Sequence, residues 1–190
     1  MIADFARQKA FDSLLIENDA LRHEIESLRA SQELAYRDPL TGLWNRRFLE
    51  DRVEEEMSRA ERNPRRGFSV VLARPEGLYA GDRDRTLLWC ANFLADAMPA
   101  HEPCCRIGPD TFALILPEAG AEACVSVVGR LRRRLLRAQD HELATDLSFG
   151  AATWSPDTTL ADLLELAERR ARSGERWLPA RPARLMLVAP

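Results

Sequence analysis

Apolar residues near the start of the chain recur in steps of three and four, which is the spacing of a coiled-coil seam. The residues of this seam are Phe11, Leu14, Asn18, Leu21, Ile25, Leu28, Gln32 and Ala35. Leucine at d positions and asparagine at one a position favour a parallel two-stranded coiled coil, because a buried amide is satisfied only opposite its twin. We therefore expect the chain to act as a homodimer.

Charged residues beside the seam agree with a parallel pair. In that arrangement Glu17 faces the partner's Arg22, and Glu24 faces the partner's Arg29. The alternative is a single amphipathic helix that packs on its own domain, but Asn18 would then place an amide on the apolar face. Either helix should end just before Pro39, because a proline disfavours a helical conformation at the residue that precedes it.

Beyond this helix the hydrophobic pattern alternates between helices and strands. It predicts helices over residues 45–61, 86–98, 119–138 and 159–172. It predicts strands over residues 68–73, 111–116 and 143–153, and a final one over 184–188. This order indicates an α/β or α+β fold with one layer of sheet. We divide the chain into a dimerisation helix, residues 1–37, and a globular domain, residues 38–190.

Composition favours a cytoplasmic protein. Hydrophobic residues make up 46% of the chain and the formal net charge is −3, so nothing points to nucleic acid as a partner. The sequence shows neither a secretory signal nor an apolar run of about 20 residues, and we expect no membrane insertion. The four cysteines should remain thiols, because the cytoplasm is reducing. Neither they nor the three histidines have the spacing of a zinc site.

Arginines crowd residues 130–137, a segment predicted to be an amphipathic surface helix. Leu131, Leu135 and Leu136 are expected to point inward from it. Because no aromatic residues accompany the arginines, an acidic protein surface suits them better than nucleic acid does.

Several motifs of the globular domain resemble those of GGDEF domains, the catalytic domains of diguanylate cyclases. Residues 38–47 resemble the motif D-x-L-T-x-L-x-N-R, and residues 106–117 resemble R-x-G-G-D-E-F followed by an apolar strand and proline. Residues 84–91 have the spacing D-x-x-L-x-x-x-A, and residues 147–152 resemble S-x-G-x-A. The resemblance covers about residues 38–175.

This resemblance implies an α+β fold in which a central, mostly antiparallel sheet is surrounded by helices, as in nucleotidyl cyclases. A coiled coil directly before such a domain is a common arrangement in the family. In active members two protomers face each other, each with a bound GTP. Divalent cations held by acidic side chains activate the 3′-hydroxyl of one GTP toward the α-phosphate of the other.

The signature loop departs from the family motif. It reads Gly108-Pro109-Asp110-Thr111-Phe112. Pro109 replaces a glycine that lets the backbone approach the phosphates, and proline has neither that freedom nor an N–H. Thr111 stands in place of a metal-binding glutamate and is a poor ligand for Mg²⁺.

The second metal ligand of the family, an aspartate at the end of the first strand, is also replaced. Aligning the strands places Arg74 there, and a guanidinium repels a divalent cation. A slip of one or two residues would instead bring Glu76 to this place. The stretch whose asparagine reads guanine in the family is missing between Tyr79 and Asp84.

The resemblance weakens at two further sites. The last helix lacks the family's phosphate-binding lysine, for which Arg172 or Arg176 could substitute. Pro99 and Glu102 stand where the arginine and aspartate of the inhibitory product site would be, so feedback by cyclic di-GMP through that site is not expected.

These departures predict a catalytically inactive GGDEF-like signalling scaffold, without catalytic residues, metal site or cofactor, that binds a protein partner as a parallel dimer. A non-catalytic sensor of GTP or cyclic di-GMP and a weak diguanylate cyclase are the alternatives. The candidate residues for vestigial nucleotide binding are Asp84, Arg106, Gly108 and Asp110.

Overall fold

The computed structural model describes residues 14–27, 34–63, 67–78, 82–99, 101–138 and 145–173. The chain divides into two units, residues 1–37 and 38–190, which we describe separately.

In the first unit, residues 14–27 and 34–35 are helical, and the helical conformation ends before Pro39 as predicted. Within one chain the seam residues Leu14, Leu21 and Ile25 are 64%, 51% and 47% exposed. The seam residues Phe11, Leu28 and Gln32 lie outside the described residues. The described part of this helix therefore carries large apolar side chains that are about half or more exposed.

The described part of the second unit contains four helices and four strands. The helices are α1 (Arg46–Arg62), α2 (Arg83–Ala97), α3 (Ala121–Arg137) and α4 (Leu160–Ser173). The strands are β1 (Ser69–Pro75), β2 (Cys104–Arg106), β3 (Phe112–Leu116) and β4 (Leu147–Thr153). The predicted helices and the first three predicted strands are confirmed, with ends that differ by a few residues. The strand predicted over residues 184–188 lies outside the described residues.

Strand β2 was not predicted from the sequence. It has only three residues, too few to show a period of alternation. It completes a sheet with the order β2-β3-β1-β4, in which every strand pair is antiparallel. This observation confirms an α+β fold built on an antiparallel sheet surrounded by helices.

Alternation along β1 sends side chains to two separate cores. Val71 and Ala73 lie in the core shared with α2 and α3, whereas Val70 and Leu72 lie in the core shared with α1 and α4. The sheet is thus covered by two helices on each face. The site described below lies where β1 ends and the β2–β3 hairpin turns.

Gly150 is the glycine of the motif at residues 147–152, and the packing around it shows why a glycine is needed there. A Cβ atom there would collide with the backbone of Ala167 and Ala171, so α4 lies directly against β4. Only glycine allows this approach.

One prediction about α3 is wrong. Leu131 and Leu135 are buried as expected, but Leu136 is 73% exposed. Leu136 follows Leu131 by five residues, which turns it about 140° around the helix and away from the core.

Candidate functional site

The entry motif, residues 38–47, closes around the carboxylate of Asp38. Asp38 Oδ1 accepts hydrogen bonds from the Thr41 amide at 2.8 Å, from Thr41 Oγ1 at 2.7 Å and from Arg106 Nη1 at 3.0 Å. Asn45 then caps α1, because its side chain accepts from the amide of Phe48 at 3.1 Å. The polar residues of this motif therefore hold the chain's entry into the domain.

Trp44 joins the entry motif to the edge of the sheet. It forms a parallel bridge with Cys105, in which its amide donates to the Cys104 carbonyl at 3.3 Å and its carbonyl accepts from the Arg106 amide at 2.7 Å. The indole stacks on Phe48 with ring centroids 4.0 Å apart. Strand β2 is thus fixed on both sides before the signature loop begins.

The signature loop turns tightly between β2 and β3. The Ile107 amide donates to the Thr111 carbonyl at 2.9 Å. A Cβ atom on Gly108 would lie 3.3 Å from Thr111 Cβ, so the turn leaves little room for a side chain. The carbonyl of Pro109 accepts from Arg106 Nη2 at 2.9 Å and from Arg83 Nη2 at 3.4 Å. Two arginines therefore lie at the loop's backbone.

A chain of alternating charges runs from this loop across the end of β1. Arg74 Nη2 lies 3.1 Å from Asp110 Oδ2, and Arg74 Nη1 lies 3.4 Å from Glu168 Oε1. Arg172 Nη2 lies 2.6 Å from the same Glu168 oxygen. Thr111 Oγ1 donates to Asp110 Oδ1 at 3.2 Å. Both oxygens of the Asp110 carboxylate thus have donors within the protein.

This arrangement does not fit a divalent cation. Arg74 places a guanidinium beside Asp110, where a metal would need further oxygen ligands. Glu76 does not take the place of Arg74: it follows the last residue of β1, is exposed, and its amide donates to the Asp146 carbonyl at 2.8 Å. Among the described residues no group of three or more His, Cys, Asp or Glu side chains could hold a metal ion.

The neighbouring donors determine the charge state of the two aspartates. Burial raises the pKa of Asp110, but the hydrogen bond and charge of Arg74, with help from Thr111 and Arg83, bring this pKa below its ordinary value. Burial likewise raises the pKa of Asp38, and the hydrogen bonds from Thr41 and Arg106 lower it overall. Both carboxylates are therefore ionised at neutral pH.

The candidate nucleotide-binding residues occupy two neighbouring elements. Arg106, Gly108 and Asp110 belong to the β2–β3 hairpin. Asp84 lies exposed in the first turn of α2, beside Arg83, which reaches the loop. Sequence reasoning missed Arg83 and Glu168, because their roles depend on long-range contacts that no local motif encodes. Arg176 lies outside the described residues.

The cysteines form no part of this site. All four are buried free thiols, and burial raises the pKa of Cys90 and Cys104 to about 12 and that of Cys124 to about 11. Such thiols are poor nucleophiles. Within the described ranges, no helix combines the length and the apolar character needed to cross a membrane.

A family model described as the diguanylate cyclase GGDEF domain matches residues 35–176, and the chain belongs to this family. A relative from Streptomyces griseus, an uncharacterised protein in the 5′ region of hutH, is 33% identical over 144 residues, which are 68% of this chain and 56% of that protein. The chain thus spans about half the length of this relative.

Solved structures of GGDEF proteins share the fold. Diguanylate cyclase SiaD of Pseudomonas aeruginosa, in complex with its activator SiaC, has a TM-score of 0.71 at 22% identity, over 90% of this chain and 70% of that one. The coiled coil and GGDEF domain of DgcB from Caulobacter crescentus, in complex with c-di-GMP, has a TM-score of 0.73 at 19% identity, over 86% and 92%. At these identities the likeness establishes the fold alone.

Proposed function

We propose that this chain is a non-catalytic GGDEF-domain module that dimerises through its N-terminal coiled coil and binds another signalling or regulatory protein. The observation that carries this proposal is the ion pair of 3.1 Å between Arg74 and Asp110. Arg74 stands where the family resemblance places a metal-binding aspartate. A fixed guanidinium compensates Asp110 and opposes a second cation at the same place.

The residues of the signature loop also support the proposal of a non-catalytic module. Pro109 has no N–H to offer a phosphate, and its carbonyl already accepts from two arginines. Thr111 supplies a neutral hydroxyl, which donates to Asp110. Diguanylate cyclase chemistry depends on metal ions and backbone donors that stabilise the charge developing at phosphorus. With both groups changed, the loop is suited to holding its own shape rather than to catalysis.

The exposed seam supports the dimer. Leu14, Leu21 and Ile25 are about half or more exposed within one chain, although each is a large apolar side chain. Burying such surface against a second copy stabilises by about 25 cal/mol per Å² of apolar area. The DgcB structure shows a coiled coil beside a GGDEF domain, and SiaD was solved with its activator, so both parts of the proposal have counterparts in similar folds.

A matched pair of variants tests the dimer. Leu21→Glu places a charge at a d position of the seam, and Ile16→Glu places the same charge at an f position, where Ile16 is 72% exposed. Sedimentation equilibrium should show a monomer for Leu21→Glu and a dimer for wild type and Ile16→Glu. A wild-type monomer, or equal effects of both variants, would refute the parallel seam.

The catalytic part is tested by incubating the dimer with GTP and Mn²⁺ and measuring cyclic di-GMP. We expect no product above the level found without protein. Product that disappears when Asp110 is changed to asparagine would show that the chain is a weak diguanylate cyclase.

A second candidate function is a sensor that binds a guanine nucleotide without turnover. It is favoured by Arg83 and Arg106, which converge on the Pro109 carbonyl beside Asp110 and leave cationic groups at the loop. Calorimetry with GTP and with cyclic di-GMP, each with and without Mg²⁺, distinguishes the two candidates. Binding heat that vanishes in an Arg83→Gln variant would establish the sensor, and no heat with either ligand would exclude it.

A further inference from the structure

Helix α3 carries a dense positive charge that no carboxylate among the described residues compensates. Its 17 residues include five arginines and a single acidic residue, Glu122, which lies in the first turn. The arginines are Arg130, Arg132, Arg133, Arg134 and Arg137. Within the part of the chain that the structure describes, none of the five lies within ion-pair distance of a carboxylate. The chain as a whole has a net charge of −3, so this concentration is local.

In helix α1, by contrast, glutamates of the same helix compensate the charges of the arginines. Arg46, Arg52 and Arg59 each contact a glutamate of the same helix, at 2.9, 2.8 and 2.7 Å. These contacts follow the i,i+3 and i,i+4 spacing that pairs charges on one helix face. Helix α3 has arginines at such spacings but no acidic residues between them. Its charge is therefore not part of a self-paired helix surface.

Intrachain roles account for some of these arginines. Arg134 Nη1 donates to the Asp96 carbonyl at 2.7 Å, and Arg130 Nη2 lies 4.0 Å from the sulfur of Met98. Arg134 and Arg137 also lie in the last turn, where the helix dipole stabilises a positive charge. Arg132 and Arg133 lie before that turn, and no hydrogen bond or ion pair links them to another described residue. Among the described residues, nothing assigns these two arginines a role within the domain.

Two other residues share their side of the helix. Gly129, Arg132, Arg133 and Leu136 follow the spacing i, i+3, i+4 and i+7, and we call this set the α3 outer face. Leu136 is 73% exposed at its end. Gly129 lowers helix stability relative to alanine, yet a Cβ there would meet only Arg133 Nη1, at 3.5 Å. Packing within the domain therefore requires neither a leucine nor a glycine here.

We propose that the α3 outer face docks an acidic amphipathic helix of the partner protein; this inference rests on the proposed function. Arg132 and Arg133 would bind carboxylates of that helix through paired N–H donors. Leu136 would cover an apolar residue, and Gly129 would allow the two backbones to approach closely. Arginine is enriched in protein–protein interfaces and among the residues that contribute most to their binding energy.

Charge complementarity favours a protein over nucleic acid or a membrane. Protein surfaces that bind single-stranded nucleic acid combine cations with aromatic platforms, and the α3 outer face has no aromatic residue. Membrane-binding helices bury a broad apolar face, whereas the described face of α3 exposes only Leu136 as a large apolar side chain. A carboxylate-bearing helix satisfies both the charges and the single leucine.

The experiment uses the full chain and a fluorescent synthetic helical peptide made of leucine and glutamate, with a matched peptide in which glutamine replaces glutamate. Fluorescence anisotropy should show binding of the glutamate peptide that weakens at high salt, and no binding of the glutamine peptide. Arg132→Gln with Arg133→Gln should weaken binding about tenfold. The matched control, Arg46→Gln with Arg85→Gln, makes the same charge change at two exposed arginines and should have less than about a twofold effect.

Several results would overturn the docking face. They are no binding of the glutamate peptide, equal loss in the control variant, and tighter binding of a DNA duplex or of phosphatidylserine vesicles that the α3 variant abolishes. Gly129→Ala sharpens the test, because it should raise the thermal stability of the chain while weakening the peptide complex. A variant that strengthens both would contradict close helix approach.

Failure of this inference can be told apart from failure of the proposed function. Once a partner is captured with the dimer, its loss in Leu21→Glu together with its retention in the Arg132/Arg133 variant would overturn the docking face and leave the proposed function standing. Loss in the Arg132/Arg133 variant but not in Arg46/Arg85 would support the docking face. Cyclic di-GMP production by the chain would overturn the proposed function while the peptide measurements still decide the docking face.

Discussion

Two arginine–aspartate pairs adjoin the signature loop and differ in what surrounds them. Arg106 and Asp38 are 3.0 Å apart, with side chains 13% and 17% exposed. Arg74 and Asp110 are 3.1 Å apart, with side chains 26% and 28% exposed. The first pair joins two motifs that match the family. The second joins Asp110, the remaining aspartate of the signature, to Arg74, which we propose takes a metal-ligand position.

The different surroundings indicate that the first pair stabilises the fold, whereas the second lies at the candidate site. Asp38 also accepts two hydrogen bonds from Thr41, and Arg106 also donates to the Pro109 carbonyl, so the first pair is the centre of a network that fixes the loop to the domain's entry. Arg74 instead bridges Asp110 and Glu168 near the surface. Under the proposed function, similar pairs thus stabilise the fold in one place and take the position of a catalytic group in another.

The largest expected effect comes from removing one arginine of each pair. Arg106→Gln should lower the free energy of unfolding by about 3 kcal/mol, because it leaves the mostly buried Asp38 charge without its partner. Arg74→Gln should cost less than about 1 kcal/mol, since both members of its pair are accessible to water. Urea denaturation of the two variants measures the difference. Equal costs would contradict the division into scaffold and site.

A smaller effect than removal of Arg106 is expected on the pH dependence of stability, which should also distinguish the two pairs. Both aspartates have a lowered pKa in the folded protein, so they stabilise it above their unfolded pKa of about 3.9. That stabilisation is lost as the pH falls through the folded pKa. Asp38→Asn should flatten the acid side of the stability curve more than Asp110→Asn does, because Asp38 accepts more hydrogen bonds. Thermal melts from pH 6 to pH 2.5 would test this order, and a larger change in Asp110→Asn would reverse it.

Much of the fold could be predicted because its signals are local. The apolar stripe of residues 45–61 predicts α1, and the short apolar run of residues 68–73 predicts β1. Aligning strands predicts Arg74 at a metal-ligand position, and this stays a prediction. Its partner Glu168 could not be predicted from the sequence, because the two residues are 94 positions apart and meet only when α4 lies on the sheet. Leu136 was misplaced for a different reason: its spacing of five residues from Leu131 turns it away from the core, and the prediction neglected this local geometry.

The smallest expected effect comes from a variant that tests whether the pair of Arg74 and Asp110 takes the place of a metal ion. Changing Arg74→Asp together with Thr111→Glu removes the guanidinium and places carboxylates at the two positions that the family uses for metal ligands. Mn²⁺ at ten times its dissociation constant would then stabilise the variant by about 1.4 kcal/mol, since a ligand that binds only the folded state stabilises by RT ln(1 + [L]/Kd). Wild type and Arg74→Gln should show no Mn²⁺-dependent change in Tm.

The glutamine variant is the essential control, because it removes the positive charge without adding a ligand. If Mn²⁺ stabilised it as strongly as the double variant, repulsion by Arg74 alone would keep the cation away, and Thr111 would have no part in the loss. If Mn²⁺ stabilised the wild type, the ion pair between Arg74 and Asp110 would not occupy the metal position, and the contrast between the two pairs would fail.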